Sequence, residues 1–218
     1  MKSKVLFVIV AIAILGAAIL GISKRDTYTD ITAQSDYLDN LVVAVLPEEI
    51  TINACEMASE YLEEAPIVAK VKIVEKEEIL FGTTRQKVCV QKQYVGEGLI
   101  EGSDIYIYSN RWCVSFAEPQ SLERSFINLL RVGEEYLVFL NEENKKVDLE
   151  LPLYEVFGDQ IIIPVFCYKE IENIPVETSG DSTYVEYSKV RDSEFFGETE
   201  KAVEVWETLK AELLEKYK

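Results

Sequence analysis

Histidine is missing from the chain altogether. Its absence removes imidazole as general base, proton shuttle or metal ligand, and with it the Ser-His and Cys-His nucleophile systems and the usual zinc sites. Cations are scarce: 22 Lys+Arg stand against 39 Asp+Glu, a formal charge of −17. Such a chain has little to offer a phosphate backbone, because counterion release needs basic side chains, so no nucleic-acid partner is expected. Glycine and proline number only 10 and 6 in 218 residues, and 48% of the chain is hydrophobic, which excludes low-complexity and disordered classes. The four cysteines, Cys55, Cys89, Cys113 and Cys167, show no CxxC spacing, so neither a zinc ribbon nor a thioredoxin-type site is indicated. No EF-hand signature is present. No metal and no cofactor is expected.

What is present begins with one long apolar run. Val5 to Ile22 is uninterrupted, with Lys2 and Lys4 before it and Lys24 and Arg25 after it. Eighteen residues at about 1.5 Å rise span roughly 27 Å, enough to cross a bilayer core. The run exceeds the usual signal-peptide core, so residues 1–25 read as an uncleaved transmembrane anchor, with secretion after cleavage near Gly21-x-Ser23 as the alternative. The flanking cations are nearly balanced and set no orientation. Residues 26–218 carry all 39 carboxylates and 18 of the 22 cations, since four of the latter lie at 2–25. A domain this acidic behind an N-terminal apolar run reads as extracytoplasmic, on a tether over residues 26–50.

The body of the domain, 51–218, changes period along its length. Residues 51–64 place Ala54, Met57, Ala58, Tyr61 and Leu62 at helical spacing up to Pro66. From Ile67 the period becomes two. Strands are expected over 67–79, 85–95, 104–115, 135–141 and 160–168, the last at an edge or bulge because of Pro164. Residues 119–130 read as a short helix carrying Leu122, Phe126, Leu129 and Leu130. Residues 198–216 read as an amphipathic helix whose stripe is Ala202, Val205, Trp206, Leu209, Leu213 and Tyr217. The fold class is therefore mainly β with helices: a five-stranded OB-like Greek-key barrel plus a C-terminal helix, behind a transmembrane segment.

Two segments sharpen that expectation. Ala65-Pro-Ile-Val-Ala-Lys-Val-Lys-Ile-Val resembles the first barrel strand of the netrin-like module found in tissue inhibitors of metalloproteinases. Val132-Gly-Glu-Glu-Tyr-Leu-Val-Phe-Leu resembles the segment of that superfamily where a glycine turn enters an apolar strand. The resemblance covers about Cys55 to Tyr168. It implies a disulfide from Cys55, with Cys113 as first partner and Cys167 as second; the residues alone allow four buried free thiols equally well, and Cys89 reads as simply packed. The inhibitors act through a mature N-terminal cysteine whose free α-amine meets the target's zinc, whereas Cys55 lies inside the chain with its amine in a peptide bond.

Few residues invite chemistry. The Gly-rich stretch 96–102 misses GxGxxG spacing and reads as a hairpin loop. Acidic pairs such as Glu134–Glu135 and Glu142–Glu143 read as a solvated face. One surface suggests a ligand: Tyr106, Tyr108 and Trp112 share a parity on the third strand, and OB-folds bind on the strand 2–3 face. Either that stripe is exposed, or the C-terminal helix covers it through Trp206 and Leu209. The function expected is non-enzymatic binding of a protein or glycan partner at the cell surface. The alternatives are a carboxylate-dependent cell-wall hydrolase, which needs a cleft with two carboxyls about 5–10 Å apart, and a protease-inhibitor-like module.

Overall fold

The computed structural model describes residues 14–17, 38–80, 83–158, 161–178 and 183–218. The apolar run at 5–22 and the tether as far as residue 37 lie outside the described residues, apart from one helical turn at 14–17. Among the described residues no helix is long and apolar enough to cross a membrane.

Strand β1 (Val42–Ala44) leads into helix α1 (Glu48–Tyr61), which starts at Pro47 with Glu48 and Glu49 in its first turn. Carboxylates suit that end of the helix dipole, and proline ahead of a first turn loses no helical hydrogen bond. Strands β2 (Ile67–Ile73), β3 (Glu78–Leu80), β4 (Thr83–Val95) and β5 (Asp104–Ser115) follow. After them come β6 (Ser121–Glu123), β7 (Glu135–Glu143), β8 (Leu153–Val156), β9 (Val165–Cys167), β10 (Tyr184–Glu186) and helix α2 (Glu200–Lys216). Gly96, at φ +82°, turns the chain out of β4 where a Cβ would meet the Pro66 carbonyl, so only glycine fits.

Five strands close on themselves in the order β2-β4-β5-β8-β7 and back to β2, with β5–β8 parallel and the other pairings antiparallel. This closed barrel is consistent with an OB-like architecture. It leaves no unpaired edge within the ring, which is why a small acidic domain can carry such apolar strands. The core includes Val71, Ile73, Val88, Val90, Ile105 and Ile107, each at most 2% exposed.

The helices lie side by side on the barrel and run in the same direction. Glu48 of α1 accepts from Thr199 Oγ1 at 2.8 Å beside the start of α2, while Glu63 beyond the end of α1 pairs with Lys216 at 2.8 Å. Thr199 caps α2, accepting from Ala202 N at 3.1 Å. The buried stripe of α2 is Ala202, Val203, Trp206, Leu209, Lys210 and Leu213.

The structure departs from the sequence expectation in several elements: the strand expected over 67–79 is split into β2 and β3, and the part of the expected tether from Leu41 to Ile50 is folded, with Leu41, Val43, Val45 and Leu46 buried. The barrel's fifth strand is β8, not 160–168; the latter contributes only β9, which pairs with β7 outside the ring. The helix expected at 119–130 does not form. Ser121–Glu123 pair with both β5 and β1, and Ser125 and Phe126 have φ of 49° and 67°, a left-handed stretch that no helix accommodates. β6 instead joins β1 and β10 in a side sheet with its own small core of Leu41, Val43, Val114, Leu122, Val185 and Phe196.

The disulfide from Cys55 is also not formed. All four cysteines are free: Cys55 packs on the inner face of α1, Cys113 lies on β5 opposite Glu123, and Cys167 sits in β9 opposite Tyr136. These are separate elements, and each thiol fills its own place in the packing. Burial pushes the Cys55 thiol up to about 12, and burial likewise raises Cys167 and Cys113. Thiolate is the reactive form, so Cys55 and Cys167 should resist an alkylating reagent in the native protein at neutral pH. Mass mapping before and after denaturation checks this; rapid native labelling of Cys55 would show that α1 is not docked in solution.

Candidate functional site

The aromatic stripe does not assemble. Trp112 is fully buried, with the Arg124 guanidinium 3.9 Å from its ring centroid. The cause is register: Tyr108 lies opposite Arg85 and Cys113 opposite Thr83, so β5 takes five steps where β4 takes two. Such a bulge re-aims every side chain beyond it. Tyr106 is 7% exposed, with Arg85 over its ring at 4.1 Å and its hydroxyl donating to Glu150 at 3.1 Å. Tyr108 is half-buried, and its hydroxyl accepts from Asn144 at 3.2 Å. The β7–β8 loop and Arg85 cover this strand; α2 packs elsewhere, with Trp206 against Phe195 and Phe166.

Two buried ion pairs hold the domain's parts together. Glu194 accepts from Cys167 N at 2.6 Å and from Lys210 Nζ at 2.5 Å, tying α2 to β9. Burial pushes the Glu194 carboxyl up, against the pull of the Lys210 ammonium. In the second pair Arg124 meets Glu77, which also accepts from the Thr84 hydroxyl. Arg124 also donates from Nη2 to the Asn128 carbonyl at 3.5 Å. Burial raises Glu77 and lowers Arg124, each opposed by its partner's charge. Both pairs are engaged within the fold and neither presents a reactive group outward.

Beside the Arg124–Glu77 pair lies a pocket of about 460 Å³, between the β2–β3 turn, the segment after β6 and the turn after β10. Its walls are apolar: Leu38, Leu122, Leu129, Leu130 and Val132. Its charged lining is Lys76, Glu77, Arg131, Arg191 and Asp39, and Thr84, Asn128 and Tyr187 add polar groups. Asn128 fixes two of the walls. Its amide donates to the carbonyls of Arg191 at 2.8 Å and Ser193 at 2.6 Å, while its Oδ1 accepts from Leu129 N at 2.7 Å and Tyr187 OH at 2.9 Å. An apolar recess with a few fixed polar groups is the usual form of a small-ligand site.

A second recess of about 540 Å³ lies at the Gly96–Gly98 turn and carries Glu97, Glu142 and Glu143. All three carboxylates are exposed, and Tyr154 beside them is 4% exposed. It therefore lacks the exposed aromatics that a glycan cleft uses. Cys55 itself is buried, at 4% exposure, while Ile50 and Met57 on the same helix are exposed. Among the described residues no group of three or more Cys, Asp or Glu side chains is placed to hold a metal.

Sequence reasoning did not find the 460 Å³ pocket. Its lining comes from Leu38, Lys76, Leu129 and Tyr187, which carry no common motif and meet only through the side sheet. The chain matches no protein-family model and no curated protein, so this geometry is the ground on which its function is read.

Proposed function

We propose that the chain is a membrane-anchored extracytoplasmic binding domain, an OB-like barrel that takes its partner in the pocket beside Arg124–Glu77. The observation that carries this reading is the contrast between that open, apolar, preorganised recess and the buried pairs Arg124–Glu77 and Lys210–Glu194, which are engaged within the fold. The parallel β5–β8 closure supports the OB-like Greek-key reading, as does the resemblance of 65–74 and 132–140 to netrin-like segments. The 18-residue apolar run and the charge of −17 support the anchored, exported placement. A glycan loses ground to a protein or lipid-like partner, because the aromatic platform it would need is packed away.

A membrane-impermeant photo-crosslinker applied to intact cells tests topology and binding together. The full chain should be labelled without opening the membrane and should yield a discrete cross-linked species. Leu129→Trp, which fills the pocket, should keep the label and lose that species. Labelling only after lysis would put the domain on the wrong side, and an unchanged cross-link in Leu129→Trp would move binding away from the pocket.

A further inference from the structure

From the same pocket, and resting on the binding reading above, we infer the class of ligand: a single-chain fatty acid drawn from the bilayer, its acyl chain in the recess and its carboxylate at the rim. The apolar lining sets the body of the ligand. The leucines and Val132 offer no hydrogen bonds, and Asn128, Tyr187 and Thr84 in the lining spend theirs within the fold, so a methylene chain gains from burial there.

The rim sets the head. In a chain of charge −17, the mouth collects Lys76, Arg131 and Arg191. Arg191 is neutralised by Asp39. Among the described residues neither Lys76 nor Arg131 forms a salt bridge; the Arg131 guanidinium donates to the Asp192 carbonyl at 2.5 Å, and its charge also reaches Glu194, which Lys210 already pairs. Glu77 also lines the pocket, but its charge is met by Arg124 rather than by these cations. Two uncompensated cations around an apolar recess complement an anionic amphiphile, and a carboxylate accepts charge-assisted hydrogen bonds from both.

Position supplies the source. The described body of the chain begins at Leu38, and Leu38 and Asp39 themselves line the pocket. Leu38 lies sixteen residues after Ile22, the end of the apolar run, and that length reaches at most roughly 55 Å. The chain thus enters the fold on the pocket's side, and a tether of that reach lets the pocket face the bilayer from which a fatty acid would leave.

The test uses the full chain held in amphipol and a homologous series of saturated fatty acids from hexanoate to dodecanoate, with bound adducts counted by native mass spectrometry. Affinity should rise about three- to fourfold per methylene until the pocket is full. Decanol and methyl decanoate should bind about tenfold more weakly than decanoate. Lys76→Glu, at an exposed position, should weaken decanoate and leave decanol unchanged, and Leu129→Trp should abolish both. Should Leu129→Trp fail to fold, the Lys76→Glu comparison still decides. Equal binding of acid and alcohol, or adducts that survive both substitutions, would overturn the inference. If no fatty acid binds but the cross-link of the preceding test is still lost in Leu129→Trp, the pocket serves an apolar peptide. The binding reading then stands while the lipid assignment falls.

Discussion

Arg124→Met should destabilise the domain by about 3–5 kcal/mol, because it leaves Glu77 as an uncompensated buried carboxylate. Both side chains lie out of solvent, at 0% and 4% exposure. The guanidinium also covers the Trp112 ring, so the substitution removes a packed plane as well as a charge. For a domain of this size the loss corresponds to a melting temperature lower by on the order of 10 °C. The pair is not fully satisfied: Arg124 Nε and Glu77 Oε2 have no hydrogen-bond partner among the described residues. That makes the double variant Glu77→Leu, Arg124→Met instructive. Replacing a whole buried pair with apolar groups is often neutral or stabilising, so the double variant should recover most of what the single one loses. Urea titrations of the three proteins decide this, and a double variant as weak as the single would show that the pair does more than offset its own burial.

The sign of the pH dependence follows from the same geometry. Burial already holds the Glu77 carboxyl above its ordinary value, and Arg124 opposes that shift. Removing Arg124 removes the opposition. A carboxyl whose folded pKa is raised binds its proton more tightly in the folded state, so its contribution to stability is fully present below the unfolded value and is lost as pH rises through the folded one. Arg124→Met should therefore be closest to wild type near pH 4–5, around the unfolded carboxyl range of about 4.3, and furthest from it at neutral pH. A deficit independent of pH would mean that lost packing, not the stranded charge, dominates.

How far the sequence carried this picture depends on the length of its signals. β5 was legible to its ends, 104–115, because a glycine turn precedes it and its apolar alternation is long. α2 was legible within two residues, from a stripe repeated over four turns. β8 was not: a strand of four residues, Leu153–Val156, is too short a window to show any period. The apolar spacing of Leu122, Phe126, Leu129 and Leu130 mimicked a helix although the side sheet and the pocket use these residues separately. Trp112 illustrates the limit most sharply. Its parity by counting is that of Tyr106, and only the pairing of β5 with β4 reveals the bulge that buries it. Cys55 was placed correctly on a helix flanked by Ala54 and Ala58, but its pairing came from resemblance rather than from its own surroundings, and those surroundings keep it a packed thiol.

Trp206→Ala should cost the domain about 3–5 kcal/mol. The indole is fully buried and lies between two rings, parallel to Phe195 at 5.1 Å and stacked on Phe166 at 5.9 Å. Each such contact adds about 0.5–1.5 kcal/mol beyond the area it buries. Phe195 belongs to the segment that Asn173 fixes, its N–H donating to Asn173 Oδ1 at 2.9 Å, and Phe166 belongs to β9. Trp206 therefore joins α2, β9 and the 193–196 segment, and its loss should be felt across the whole core rather than in the helix alone. Trp206→Phe should be much milder, since it keeps a ring in the stack and removes an indole N–H that has no partner among the described residues. A helix of 17 residues with one apolar stripe is marginal by itself in water, so α2 and the barrel should unfold in one transition. Thermal melts followed by hydrogen exchange on the α2 amides separate the outcomes. A lower melting temperature with a single transition confirms docking through Trp206. An unchanged melting temperature with freely exchanging α2 amides would instead release the stripe of Trp206, Leu209 and Leu213 as a surface of its own, and the partner of this domain would then be sought there.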